Sequence, residues 1–289
     1  MDDCSIYFYN PSLAAAILFT ALYAIPTVFT MHRILNFRTW YFTIVVVGGV
    51  FEVAGYALRI GSVKNVCDLG LYASSQTLII LAPLLVAAGN YTLLGRLDLA
   101  VLPVENSVIL GLRPTVLTKI FLGVDIISFV IQAVGSGIAS SHGWEGNSKD
   151  VGVNILLAGL ATQLATVIFF LFLLWIFSQR AYFGPHKREG APDKWEKAFE
   201  AVVFSTTMIA ARSVYRLIEF ALGIDGYPFS NEWPFYVFEA TPMLFAITIY
   251  CLWFPPGYLP KKRFSELQIE ERQNGRAVTE AKHESERYA

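Results

Sequence analysis

Charge is scarce in this chain. Asp, Glu, Lys and Arg make up 16% of its 289 residues, where a soluble domain carries about 25%. There is no basic face of the kind that holds nucleic acid, and a net charge of −1 says little about partners. Cysteine is also rare: Cys4, Cys67 and Cys251 fall at no metal-ligand spacing. The four histidines, His32, His142, His186 and His283, are scattered through loops and the tail, which argues against a zinc site. No Gly-x-x-x-x-Gly-Lys-Ser/Thr loop occurs, so no P-loop holds nucleotide. No Gly-x-Ser-x-Gly elbow offers a nucleophile. The last apolar run has no lysine for a retinal Schiff base, and "GRLDLA" and "FPPGYLP" stand where a common G-protein-coupled receptor shows its signature tripeptide and Asn-Pro-x-x-Tyr. No metal or cofactor is implied, and an enzyme is not expected. The opening "MDDCSIYFYN" lacks the positive charge of a cleavable signal. The first apolar run is therefore read as a retained helix.

What is present is apolar length. Seven runs, at about 11–31, 39–62, 70–94, 114–139, 151–178, 198–223 and 234–254, each reach the roughly 20 residues that a spanning helix needs. The fold expected is all-α: a polytopic seven-transmembrane helix bundle. Residues 1–10 would form a short extracellular tail, 11–257 the membrane domain, and 258–289 a cytosolic polar tail. That tail holds seven Lys/Arg and six Glu with little apolar content, and is expected to be disordered. The first, third and fifth loops carry nine Lys/Arg against two in the second, fourth and sixth. The positive-inside rule then places the N-terminus outside and the C-terminus in the cytosol. On that topology Cys4 and Cys67 share an oxidising side, which permits a disulfide between them; two free thiols are the alternative. In the tail, Pro255, Pro256 and Tyr258 match the Pro-Pro-x-Tyr pattern of WW-domain ligands. Two prolines ending the last helix explain the same residues.

Against this apolar background a few polar residues stand out. Arg212, Arg216 and Glu219 share one face of the sixth helix, since residues three and four apart are neighbours. The second helix carries Glu52 and Arg59, the fourth Asp125, Ser128 and Gln132, the third Gln76 and Tyr91, the fifth Gln163 and the seventh Glu239. A charge at the bilayer centre costs about 2.5–3.5 kcal/mol, so seven facing lipid unpaired would cost on the order of 20 kcal/mol. They must face one another or water. Four acids against three arginines fits an interior paired network. One reading is structural, an ion-pair lattice that fixes helix register. The other is a polar cavity open to the outer leaflet, taking the head of an amphiphile. Arginine's planar fork suits phosphate or carboxylate, and the acids suit an amine.

The motifs that carry these residues resemble one family. They are "EVAGYALR" (Glu52 to Arg59), "LAPLLVAAGNYTLLGR" (with Pro83, Tyr91 and Arg96), "FLGVDIISFVIQAVGSG" (with Asp125, Ser128 and Gln132), "GLATQ" (Gly159 to Gln163), "RSVYRLIEF" (with Arg212, Arg216 and Glu219) and "YVFEATPM" (with Glu239 and Pro242). In this order, across about residues 12–257, the chain is similar to the RTA-like proteins, fungal seven-helix proteins also called the lipid-translocating exporter family. Two departures stand out. The family's His-Pro-Gly after helix seven is replaced by Pro255-Pro256-Gly257, and its helix-seven Asp by Glu239. The resemblance implies a plasma-membrane protein, with vacuolar or other endomembrane as the alternative. It implies release of sphingoid long-chain bases, phospholipid asymmetry, and resistance to sterol-like toxicants or other stress. A sensor of lipid or stress that moves nothing is the alternative. Its partners would be membrane lipids or amphiphilic small molecules. Without an ATP motif, movement would be downhill or coupled to protons through buried acids.

Overall fold

The computed structural model describes residues 11–101, 114–140, 146–183, 195–223 and 226–255. These residues are helical throughout, with no strand. Six long helices, α1 (Leu13–Phe37), α2 (Thr43–Lys64), α3 (Leu69–Val101), α4 (Pro114–Ser140), α5 (Gly146–Phe183) and α6 (Trp195–Ala221), are followed by a single turn, α7 (Tyr227–Ser230). A π-turn at Phe235–Ala240 then leads into α8 (Thr241–Leu252), and the two together make one continuous span. Seven of these segments are long and apolar enough to cross a membrane. The chain is an integral, multi-pass membrane protein. Helices α1, α3 and α5 run five or more residues past an expected limit, because those ends carry polar residues that hydropathy alone excludes.

Helix ends and irregularities follow from local chemistry. Ser12 caps α1, its hydroxyl accepting from the Ala15 N–H at 3.3 Å. Arg38 ends the same helix in a left-handed conformation (φ 53°) and returns its N–H to the Ile34 carbonyl. Proline breaks the hydrogen-bond ladder within three spans, at Pro26 in α1, Pro83 in α3 and Pro242 in the seventh. Pro83 in α3 has no N–H for the Ile79 carbonyl four residues back. Pro242 would drive its ring into the Phe238 carbonyl of a regular helix. The preceding turn widens to π form instead, with the Thr241 N–H reaching back five residues to Tyr236.

Helix α3 is central. Its apolar window is 72% buried against 28% for α1 and α4, and it packs on α2, α4, α5 and α6. The pairs α2–α3 and α4–α5 approach most closely, through small residues. In α4–α5 the backbones themselves touch. A Cβ on Gly135 would lie 2.5 Å from the Leu156 nitrogen, and one on Gly152 would lie 2.4 Å from the Ala139 nitrogen. Around α1 the ring follows from side-chain contacts. Tyr23, near the middle of α1, donates to the Ala240 carbonyl at 2.6 Å, and Arg33, near its C-terminal end, donates to the Cys251 carbonyl at 3.2 Å.

Cys67 is disulfide-bonded and Cys251 is a free thiol. Cys4 lies outside the described residues, so its pairing with Cys67 stays a proposal. Pro256, Tyr258 and the 258–289 tail also lie outside them.

Candidate functional site

Seven apolar spans leave little freedom for charge, and the structure gathers most of it into one layer. On α6, spacings of four and three put Arg212, Arg216 and Glu219 on the face toward the π-turn. The wide turn carries Glu239 between the two arginines. Glu239 is 0% exposed, and each of its oxygens takes one guanidinium: Oε1 accepts from Arg212 Nη2 at 2.8 Å, Oε2 from Arg216 Nη1 at 3.3 Å. Arg216 also donates to Glu219 at 3.1 Å, and the Tyr215 hydroxyl donates to the other oxygen of Glu219 at 3.3 Å. Arg212 reaches across to α3 and donates to the Ile79 carbonyl at 3.0 Å. Pro83 left that carbonyl without its helical donor, so a proline in α3 and an arginine in α6 complete one another.

Toward the start of α1 lies a second pair. Arg59 Nη2 donates to Glu232 at 3.2 Å and Arg59 Nε to the Tyr236 hydroxyl at 3.3 Å. Its guanidinium sits 4.4 Å over the Phe235 ring. Glu232 also accepts from the Ser12 backbone N–H at 2.7 Å, which ties the entry of α1 to the seventh span and to α2. Between the two pairs lies an aromatic stack: Phe19 on Tyr236 at 4.9 Å, and Tyr23 on Tyr56 at 5.3 Å. Glu52 lies inside this layer, 1% exposed, within electrostatic reach of Arg212 and Glu239.

The ten side chains expected at one site divide into four groups. Glu52, Arg59, Arg212, Arg216, Glu219 and Glu239 share the charged layer. Asp125 lies apart, accepting from the Tyr91 hydroxyl at 2.7 Å between α3 and α4. Gln132 and Gln163 bond each other at 2.9 Å between α4 and α5. Gln76 is half-buried on α3, beside exposed Ser74 and Thr77. Glu52 and Arg59 do not pair. Seven residues of helix separate them by about 10.5 Å along the axis, beyond the reach of one bond. The charges are also not displayed in an open cavity: they close on one another, and the side chain of Arg216 is 11% exposed.

Glu232 was missed by the sequence reading. It belongs to the short sixth loop, and the visible signal was an acid in a loop with no cation of its own. Asn90 was missed as well. It donates to Ser205 at 3.2 Å and Thr206 at 3.1 Å, and accepts from the Tyr250 hydroxyl, joining α3, α6 and α8. Nothing in single neutral residues on three helices predicts their meeting.

With this geometry in place, known proteins can be compared. The family model described as RTA1 like protein matches residues 45–263, well over half the chain. Protein RTM1 of Saccharomyces cerevisiae is 34% identical over 70% of this chain, and the match spans 63% of that protein. The sphingoid long-chain base transporter RSB1 of Saccharomyces cerevisiae is 27% identical over 90% of this chain and 75% of its own. Protoporphyrin uptake protein 1 of the same yeast is 30% identical over 84% of this chain and 89% of its own. No solved structure matches. The family model covers the seven-helix bundle from α2 onward, including the charged layer between α6 and the seventh span, and the chain belongs to the RTA1-like family.

Proposed function

We propose that this protein binds an amphiphile at the charged layer and translocates or exports it. The classes in view are a sphingoid long-chain base, a phospholipid or a sterol-like toxicant. The observation that carries this is the α6–span 7 network. Four ionisable groups, Arg212, Arg216, Glu219 and Glu239, are held against one another within an apolar bundle. Such groups at membrane depth mark a substrate or ion path by default. Two relatives are named for a sphingoid base and a porphyrin, and both molecules join ionisable heads to large apolar bodies. A phosphate or carboxylate would exchange with Glu219 or Glu239 on the arginines, and an amine would exchange with the arginines on the acids. Movement needs the network to open toward the end of the bundle where α1 begins. The positive-inside bias of the loop charges supports that end as the outer one, with the N-terminus outside and the C-terminal tail cytosolic. The plasma membrane is the expected site, and non-enzymatic transport the expected activity.

Proteoliposomes containing this protein alone test the reading. Fluorescent sphingoid base and phospholipid analogues are followed by chemical reduction of the exposed leaflet. We expect the protected signal to fall faster than in protein-free vesicles, and Arg216→Ala to abolish the acceleration. Tryptophan quenching by the amphiphile without any movement would overturn transport and favour a lipid or stress sensor.

A further inference from the structure

Within the charged layer, hydrogen bonding is complete for some groups and missing for others. Arg216, Glu219 and Glu239 each have charged partners. Glu52 has none: neither carboxylate oxygen meets a hydrogen-bond donor. Arg212 uses Nη2 on Glu239 and Ile79, but its Nε–H finds no acceptor. The Tyr56 hydroxyl, one helical turn beyond Glu52, is also without a partner. So buried acceptors on α2 lie near a buried donor on α6, and they do not bond in this arrangement.

The charges say why. Two guanidinium groups, Arg212 and Arg216, are matched by the carboxylates of Glu219 and Glu239, while Arg59 is matched by Glu232. An ionised Glu52 would be a third acid on two cations, and a buried uncompensated charge neutralises rather than persists. The groups facing Glu52 are Tyr23 from α1, Tyr56 from its own helix, Arg212 from α6 and Glu239 from the π-turn. Opposite this part of α2, α3 presents Ser75 and Ile79, which do not titrate.

We infer that Glu52 is a proton-binding site. It holds a proton while the network is closed, and loss of that proton transfers Arg212 from Glu239 to Glu52. The Glu52 O–H bond breaks and the proton leaves to water. The new carboxylate accepts the Nε–H of Arg212, whose Nη2 bond to Glu239 opens. Glu239 keeps Arg216, and no electrons change hands. The link between α6 and the seventh span falls from two arginines to one, which loosens the layer through which an amphiphile would pass. The coupling to transport rests on the reading above, whereas the proton site itself does not.

Infrared difference spectra of the purified full-length protein in nanodiscs, recorded across a pH titration, test the site directly. A protonated-carboxyl C=O band is expected at neutral pH. Glu52→Gln should remove it, Glu52→Asp should shift it, and Asp125→Asn, outside the layer, should leave it in place. If Glu52→Gln does not fold, the Glu52→Asp shift decides alone. A band that neither Glu52 variant alters overturns the proposal. In proteoliposomes, lipid movement by the wild type should follow the same titration, and Glu52→Gln should lose that dependence. A band lost in Glu52→Gln with no lipid movement by the wild type keeps the proton site and removes the transport reading. An unaltered band removes the proton site whatever the lipids do.

Discussion

The α4–α5 pair and the α6–span 7 pair hold together by opposite means. Between α4 and α5 the contact is backbone on backbone, through Gly135, Gly152 and Gly159, and the polar groups are neutral amides facing each other. Between α6 and the seventh span the backbone is irregular, with a π-turn and Pro242, and charged side chains fill the interface. Close-packed backbone has one arrangement, because no side chain can swing to make another. An ion-pair layer with an unpartnered donor and acceptor has at least two. The first region is the frame, and the second is where a conformational change would cost least.

Two substitutions break this comparison from either side. The largest effect is expected from Gly152→Val. Its Cβ would meet the Ala139 nitrogen at 2.4 Å and the Gly135 carbonyl oxygen at 2.7 Å, and backbone cannot rotate away. Overpacking costs about 1–3 kcal/mol where neighbours can shift; here the neighbours are backbone on both sides, the two helices cannot dock, and size-exclusion profiles of solubilised protein should show loss of the monodisperse species. Second is Glu239→Ala, which strips Arg212 of its carboxylate and leaves Arg216 with Glu219 alone. Removing one partner of a buried pair costs about 3–5 kcal/mol, and here it should appear as a large fall in the melting temperature in detergent. If Glu239→Ala proves harmless, the layer is not the cohesive element of its region.

How much of this was legible follows the same division. The seven spans were, because apolar runs of spanning length admit few alternatives. The α6 stripe was, because spacings of three and four fix a face. What Glu239 meets was not, since its direction depends on a π-turn that Pro242 induces, and a proline announces a break without its geometry. The partition of Asp125, Gln132 and Gln163 away from the charges was hidden for another reason. Helical spacing tells which residues share a face, but not which neighbour that face meets. Glu232 was passed over because it belongs to a loop, although it pairs with Arg59 from within a span.

A smaller effect sharpens the role of that loop acid. Glu232 is partly exposed, so its pair with Arg59 should couple by about 1–2 kcal/mol in a double-mutant cycle of Arg59→Gln and Glu232→Gln read by thermal melts. A coupling near zero would mean that the aromatic contacts of Arg59, not its ion pair, hold α2 to the seventh span.

The smallest net effect is expected from a double change where the frame is polar. Gln132 and Gln163 satisfy each other across α4 and α5. Changing either alone to Leu leaves the other amide partly buried without its partner, at about 1–3 kcal/mol. Changing both to Leu replaces an amide pair by an apolar contact of similar size, and stability should return close to wild type. Lipid movement in proteoliposomes should survive in the double variant if the working site is confined to the α6–span 7 layer. Transport lost from a double variant that melts normally would place the glutamine pair on the substrate path, and the division between frame and moving layer would then fall elsewhere in the bundle.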